Sequence, residues 1–183
     1  NYAVDAKVQP GSVIKPIIDY APGIEYYGWD SQTTFSDTPY KIEGTDFYIQ
    51  NWDRAYHGTV SMEKALAWSY NIPAVRAFET VGYERSKFFS ERLGIPVTKD
   101  EPTIAIGGNV DGVSPLQVAG AFASFGNKGY YNKPSTIVKV FNANGKELPS
   151  MKSESVKAMS EETAYLMTNM LKNVLTSNGT SPN

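Results

Sequence analysis

The chain has no cysteine, which excludes disulfides, thiolate catalysis and cysteine-ligated zinc in one step. Histidine is nearly absent too. The single residue, His57, leaves neither a histidine-rich metal site nor a Ser-His-Asp triad easy to assemble. Nucleophilic chemistry here therefore needs a base other than imidazole. Charge of one sign is also lacking. The 17 Lys+Arg against 19 Asp+Glu leave a net charge of −2, with no basic surplus for nucleic acid or an anionic membrane. No apolar run approaches the roughly 18 residues that span a bilayer, and no signal-peptide pattern opens the chain. Internal repeats, low-complexity tracts and a linker dividing two domains are absent as well.

What remains is the composition of a folded domain. Over 183 residues, 41% are hydrophobic and 20% charged, enough for one sizeable core and unlike a disordered tail. The abrupt start at "NYAVDAKVQPGS" and the abrupt end at "SNGTSPN" read as a piece of a larger protein.

Local signals divide the chain into mostly helical segments. A first helix is expected from Gly11 or Ser12 through "VIKPIIDYA", stopping at Pro22-Gly23, with Pro16 tolerated one turn in. Residues 24–58 show no sustained helical period and read as a long structured loop with short strands, the kind of segment that carries function or forms a lid. "TVSMEKALAWSYN" reads as a helix capped by Ser61, with Met62, Ala65, Leu66 and Ser69 on one apolar face. Pro73 is expected to open another helix closed by Gly82, and "ERSKFFSERLG" a further one stopped by Gly94. In "SPLQVAGAFASFG", Ser114 caps, Pro115 takes the first helical position and Gln117 completes a capping box. "STIVKVFNANGKELP" predicts a strand pair turned at Asn144-Gly145, and "SEETAYLMTNMLKNVL" a last helix capped by Ser160.

Two spacings bear on chemistry. Ser12 and Lys15 are three apart, so on a helix they share a face and the amine can reach the hydroxyl. A lysine in a partly buried cleft is lowered in pKa and can act as a base, although a serine cap followed by a surface lysine gives the same string. Ser69 and Asn71 in "SYNIPAV" end one helix just before another. Ser69 on an apolar face needs a buried partner, unless it bonds back to the preceding turn while Asn71 caps the next helix.

In order and context these motifs change standing. The chain resembles the transpeptidase domain of class A (bifunctional) penicillin-binding proteins from "PGSVIKP" essentially to its last residue, including "NWDRAYHGTVSMEKALAWSYNIPAV" and "IGGNVDGVSPLQVAGAFASFGNKGYYNKPSTIVKVFNANGK". Ser-x-x-Lys followed by Ser-x-Asn is a motif set that penicillin-binding proteins share with β-lactamases. The resemblance implies an α/β serine D,D-peptidase/β-lactamase-like fold, of which these residues form the mainly helical part with a small β-hairpin and without most of the central sheet. It implies a peptidoglycan D,D-transpeptidase with Ser12 as nucleophile and Lys15 as its base. Ser69 then passes a proton toward the leaving D-alanine, and Asn71 holds the substrate amide and positions Lys15. Substrates are peptidoglycan stem peptides, and β-lactam antibiotics trap the same serine. No cofactor, metal or nucleic acid is implied. The parent protein is expected to be membrane-anchored, on the extracytoplasmic face, within cell-wall synthesis complexes.

The sequence departs from that pattern in one respect. No lysine is followed by Thr-Gly or Ser-Gly, so the third motif of the family, with its strand, its cation and an oxyanion-hole donor, is not present. An upstream glycosyltransferase domain is likewise not present. Losing one such donor costs about 10²–10³ in rate, so these residues alone are expected to turn over little or not at all. A serine β-lactamase or D,D-carboxypeptidase of the same fold remains an alternative, though no clear Glu-x-x-x-Asn supplies a water-activating glutamate. A non-catalytic domain that binds peptidoglycan or a partner is the other. Among the remaining residues, Trp29, Tyr48, Trp52 and Tyr56 read as pins for the long loop, with Trp52 a candidate for substrate contact. His57 reads as a surface or capping residue in a turn, Asp19 and Asp30 as no metal site, and Gly107-Gly108 as a backbone turn.

Overall fold

The computed structural model describes residues 1–108, 112–137, 139–148 and 154–182. A short helix α1 (Tyr2–Asp5) precedes one continuous helical run. That run opens as a 3₁₀ turn (Gly11–Ile14), passes through a π turn (Pro16–Tyr20) and continues as α2 (Ala21–Tyr27). Pro22-Gly23 does not stop it, contrary to the sequence expectation. Pro22 has no N–H to give the carbonyl one helical step back, that of Ile18. The Ser86 hydroxyl donates to that carbonyl instead, at 2.8 Å. Gly23 is not a terminator either: the Trp29 indole occupies the space where its Cβ would lie. The stop falls at Gly28, whose φ of 66° suits glycine.

The extended stretch expected over residues 24–58 runs instead over residues 28–61: residues 24–27 belong to α2, and residues 59–61, read as the start of the next helix, are strand. Strand β1 (Thr34–Asp37) pairs antiparallel with β4 (Gly58–Ser61), and β2 (Tyr40–Lys41) with β3 (Tyr48–Ile49). Helix α3 (Met62–Ala67) follows with Ser61 as its N-cap, accepting from the Lys64 N–H. It ends two residues before Ser69, so Ser69 does not sit on its apolar face as the helical spacing suggested. Helix α4 (Asn71–Val81) then begins two residues before Pro73 and is closed by Gly82, and α5 (Tyr83–Arg92) runs on from there. A proline at the third helical position removes only an N–H that has no partner inside the helix, so it need not mark the start.

A 3₁₀ segment (Pro102–Ile106) precedes α6 (Pro115–Gly126), whose Ser114/Gln117 capping box and leading Pro115 form as read from the sequence. Among the described residues the hairpin at Asn144-Gly145 pairs from its tip out to Leu148 N–H on Val140 O at 2.8 Å. Asn142 N–H bonds Lys146 O at 2.9 Å and Phe141 bridges Glu147, while Val138 and residues 149–153 lie outside the described residues. The sequence reading missed a pair, β5 (Tyr130–Asn132) with β6 (Ser155–Lys157). These strands are three residues long, too short for an alternating pattern to declare itself. Helix α7 (Glu161–Lys172) is capped by Ser160. The Glu25 carboxylate on α2 accepts from Ser160 N–H, Ser160 Oγ and Thr163 Oγ1, tying the two helices together.

One core gathers these helices around the first run. Ile14, Ile17 and Ile18 of that run meet Ile72 and Val75 of α4, Phe89 of α5 and Ile104 of the 3₁₀ segment, all buried. A Leu, Ile or Phe removed from water contributes about 1.5–3 kcal/mol, so the helix bearing Ser12 and Lys15 is fixed from its apolar side. The β1–β4 ribbon covers α4 through Phe35 and Val60. Among the described residues no helix is long and apolar enough to cross a membrane.

Candidate active site

Lys15 is the centre of the site. Its side chain is only 1% exposed, and its Nζ donates to Asn71 Oδ1 at 2.8 Å, Ser69 O at 2.7 Å, Ser69 Oγ at 3.1 Å and Tyr70 O at 3.3 Å. An ammonium has three protons to share among these oxygens. Burial pushes the amine down from the ordinary lysine range to about 8, with the Asp19 carboxyl acting in the opposite direction. A lysine so placed is partly neutral near physiological pH, which a general base requires.

Ser12 lies at the start of the same helical run and is exposed, while Lys15 one turn later is buried. Among the described residues the Ser12 hydroxyl is not one of the hydrogen-bond partners of Lys15. Three of the four residues expected to act together, Lys15, Ser69 and Asn71, are thus joined directly. The fourth is held one helical turn away on the rim. Gly11, immediately before Ser12, takes a φ of 60°, and Gly107 of the Gly107-Gly108 turn (φ 78°) packs directly on it. A Cβ at Gly107 would fall inside the backbone of Gly11. That turn therefore does more than reverse the chain: it fixes the residue preceding Ser12.

Ser69 adopts φ 53°, a left-handed conformation that few non-glycine residues take. It lies in the turn between α3 and α4, and this conformation directs both its carbonyl and its hydroxyl toward Lys15. Such a backbone costs of order 1 kcal/mol and persists where the surroundings over-determine it. Asn71, at the first position of α4, splits its amide: Oδ1 accepts from Lys15, and Nδ2 donates to Gln50 O at 2.7 Å.

The sequence reading missed the residues behind this turn. The buried Asn51 side chain accepts from Asn71 N–H at 2.8 Å and from Ile72 N–H at 3.4 Å, and donates to both oxygens of buried Asp37. His57 is not the surface or cap residue expected from its turn. Its Nδ1 lies 2.6 Å from Asp37 Oδ2, its Nε2 lies 3.1 Å from Asp53 Oδ2, and its ring stacks on Tyr70 at 4.2 Å. The Asp37 contact, 20 residues away, leaves no local signature, and without it the neighbouring Asp53 does not single His57 out. Trp52 stacks on Trp68 and donates from Nε1 to Trp68 O at 2.7 Å, yet remains 58% exposed. It therefore both pins the loop and presents an apolar face. Tyr48 and Tyr56 are about half exposed, and Trp29 is packed against the core. Asp30 organises its own turn with Gln32 and Thr33. Among the described residues no group of three His, Asp or Glu side chains could hold a metal ion.

A serine beside a desolvated lysine, with a second hydroxyl and a carboxamide on that lysine, is the equipment of an acyl-transferring serine enzyme. The comparisons with known proteins agree with that class. The family described as penicillin binding protein transpeptidase domain matches residues 1–183, and the chain belongs to it. The chain is 45% identical over 177 residues to penicillin-binding protein 1A/1B of Bacillus subtilis, covering 94% of this chain and 19% of that protein. It is 40% identical over 190 residues to penicillin-binding protein 1A of Streptococcus pneumoniae, covering 100% of this chain and 26% of that one. The chain thus spans between a fifth and about a quarter of these relatives. In solved structures it is similar to penicillin-binding protein 1A of Haemophilus influenzae, with TM-score 0.83, 25% identity, and coverage of 99% of this chain and 33% of that one. It also matches the fold of penicillin-binding protein A of Mycobacterium tuberculosis in its imipenem acyl-enzyme complex, with TM-score 0.81, 18% identity, and coverage of 96% and 45%. The fold is that of the serine D,D-peptidase/β-lactamase class, here mostly helical with short sheets.

Proposed function

We propose that this chain is the helical part of a peptidoglycan D,D-transpeptidase, and that Ser12 is its nucleophile. The observation that supports this most is the buried Lys15 amine, brought to about 8 by desolvation and held between Ser69 and Asn71. In its neutral form Lys15 takes the proton of Ser12 Oγ, which attacks the carbonyl carbon of the penultimate D-alanine of a stem peptide. The peptide C–N bond breaks, the terminal D-alanine leaves as an amine with a proton relayed through the Ser69 hydroxyl, and an ester remains on Ser12. An amine of a neighbouring stem attacks that ester, forms the cross-link amide and returns the proton to the serine. Asn71 holds the substrate amide as well as Lys15, and Trp52, whose ring is open to solvent, is the candidate for a further substrate contact. β-Lactams acylate the same serine because their ring amide takes the place of the D-Ala-D-Ala bond.

The same reading makes residues 1–183 part of a domain completed by a Lys-Thr-Gly strand, within a protein that also carries a glycosyltransferase domain and a membrane anchor. It places the site on the extracytoplasmic face, among cell-wall synthesis complexes, and leaves residues 1–183 by themselves with little or no turnover. Fluorescent penicillin labelling of the intact protein tests it, with the adduct located by peptide mass spectrometry. A stable adduct on Ser12 that disappears in Ser12→Ala is expected. Labelling that survives Ser12→Ala, or an adduct released within seconds as by a β-lactamase, overturns it.

A further inference from the structure

Three consecutive residues of the long loop, Gln50, Asn51 and Trp52, each grip the turn that carries Ser69 and Asn71. Gln50 O receives the Asn71 side-chain amide at 2.7 Å, Asn51 Oδ1 receives the Asn71 and Ile72 N–H groups at 2.8 and 3.4 Å, and Trp52 Nε1 donates to Trp68 O at 2.7 Å. Tyr70, the residue preceding α4, makes no side-chain cap of its own. The N–H groups that open this helix are therefore satisfied from a segment about 20 residues away in sequence.

Asn51 can do this only in one orientation. Its Nδ2 is committed to Asp37 Oδ1 at 2.8 Å, Asp37 Oδ2 at 2.9 Å and Ala55 O at 2.9 Å, so Oδ1 has to face α4. Asp37 is itself held by the His57 backbone N–H at 3.0 Å and by His57 Nδ1, and Asp53 holds the far nitrogen of that ring. Asp37 and Asn51 are both essentially buried, where a carboxylate needs donors on each side. The His57 ring then lies flat on Tyr70. From Asp53 to Lys15 there is one unbroken path of polar contacts, and it ends on the amine.

We propose that Asn51, oriented by Asp37, is a positioning residue for the reaction: it sets Asn71 and Ser69, and through them the Lys15 amine, in the geometry that acylation of Ser12 requires. The inference rests on the transpeptidase reading above. A displacement of about 1 Å in a reacting group can cost on the order of 100-fold. The turn closes itself as the end of α3, Ser69 N–H on Leu66 O at 3.0 Å and Tyr70 N–H on Ala65 O at 2.9 Å; what the loop adds is the placement of Asn71 and of the helix it opens.

The test is the kinetics of penicillin acylation in the intact protein, separating the affinity of the first complex from the maximal acylation rate. Asn51→Ala is expected to lower the maximal rate about 10- to 100-fold while changing affinity less than about threefold. Asn51→Asp keeps the acceptor but sets a carboxylate against Asp37, so it is expected to be similarly slow. Asp37→Asn combined with Asn51→Asp restores one donor and one acceptor between the two positions but leaves the Ala55 carbonyl without the Asn51 amide, so partial recovery over Asn51→Asp alone is expected. What separates positioning from lost stability is the split between maximal rate and affinity, measured on variants that circular dichroism shows to be folded. Should Asn51→Ala not fold, Asp37→Asn carries the test: it removes one of the two acceptors that fix Asn51 Nδ2, and it is expected to slow the maximal rate while changing affinity less than about threefold. A wild-type maximal rate in Asn51→Ala, or no recovery in the exchanged pair, overturns the inference and leaves Ser12 labelling intact. No Ser12 adduct in the wild-type protein overturns the transpeptidase reading, and this inference with it.

Discussion

Lys15 and Asn71 meet across the junction of two helices, Nζ to Oδ1 at 2.8 Å, with the amine otherwise enclosed by the backbone and hydroxyl of Ser69. Every contact to the amine comes from an oxygen, which favours its charged form, while burial favours the neutral one. Burial dominates and leaves the pKa at about 8.

A base must be neutral to accept a proton, so acylation of Ser12 is expected to rise with pH. Below about 8 the neutral fraction grows nearly tenfold per pH unit, and above it the rate levels off. Stopped-flow acylation between about pH 6 and 9.5 measures this. Lys15→Arg, which stays charged throughout, should lose the rise altogether and about 10²–10⁴ of the rate. A flat profile in the wild-type protein would remove Lys15 from the role of base.

Ser69 offers a way to separate hydroxyl from backbone. At φ 53°, Ser69→Gly relieves the left-handed strain and Ser69→Ala does not. Both lack the hydroxyl that contacts Lys15. The expected result is equally impaired turnover in the two variants, with Ser69→Gly more stable than Ser69→Ala by about 1 kcal/mol in thermal or urea unfolding. Activity in Ser69→Gly near wild type would show that the turn matters and the hydroxyl does not.

Much of this arrangement was legible in the sequence where the determinants are local. The capping box at Ser114 and Gln117, the Ser160 and Ser61 caps and the Gly82 stop all lie within a few residues of the helices they define. The spacing of Ser69 to Asn71 anticipates that both reach one partner, which the fold makes Lys15, whereas Ser12 and Lys15, three apart, share no hydrogen bond among the described residues. What escaped were features set at long range. Pro22 reads as a breaker until Ser86, far along the chain, takes the role of donor to Ile18 O. His57 reads as a turn residue until Asp37 and Asp53 close on it. Asn51 carries no motif, and only the folded loop shows that it caps α4.

Asp19 sits one turn beyond Lys15, fully buried, with neither carboxyl oxygen hydrogen-bonded to a described residue. Burial raises its pKa well above the ordinary carboxylate range, with Lys15 pulling the other way. The folded state therefore holds a proton that the unfolded chain releases above about pH 4. This group destabilises the fold increasingly as pH rises from there toward neutrality. Asp19→Asn is expected to raise Tm at about pH 7 and to confer no advantage at about pH 4. Thermal unfolding at the two pH values decides it. A loss of stability at neutral pH would mean that Asp19 is ionised and that its attraction to Lys15 outweighs its burial.

Gly107 tests whether the rim residue Ser12 is placed by its own helix or by the turn against it. Its φ of 78° and its contact with Gly11 both exclude a side chain. Gly107→Ala forces a methyl group into the Gly11 backbone, an overpacking worth about 1–3 kcal/mol, and the strain is relieved most easily by moving residues 11 and 12. Lys15, Ser69 and Asn71 are anchored elsewhere and should keep their positions. The expected outcome is a folded protein whose Lys15-dependent pH profile retains its midpoint while the acylation rate drops about 10-fold or more. Gly126→Ala serves as the control, since its Cβ would meet nothing within 4 Å and it should acylate normally. An unchanged rate in Gly107→Ala would mean that the helical run alone sets Ser12. A shifted midpoint would mean that the turn acts on Lys15 as well.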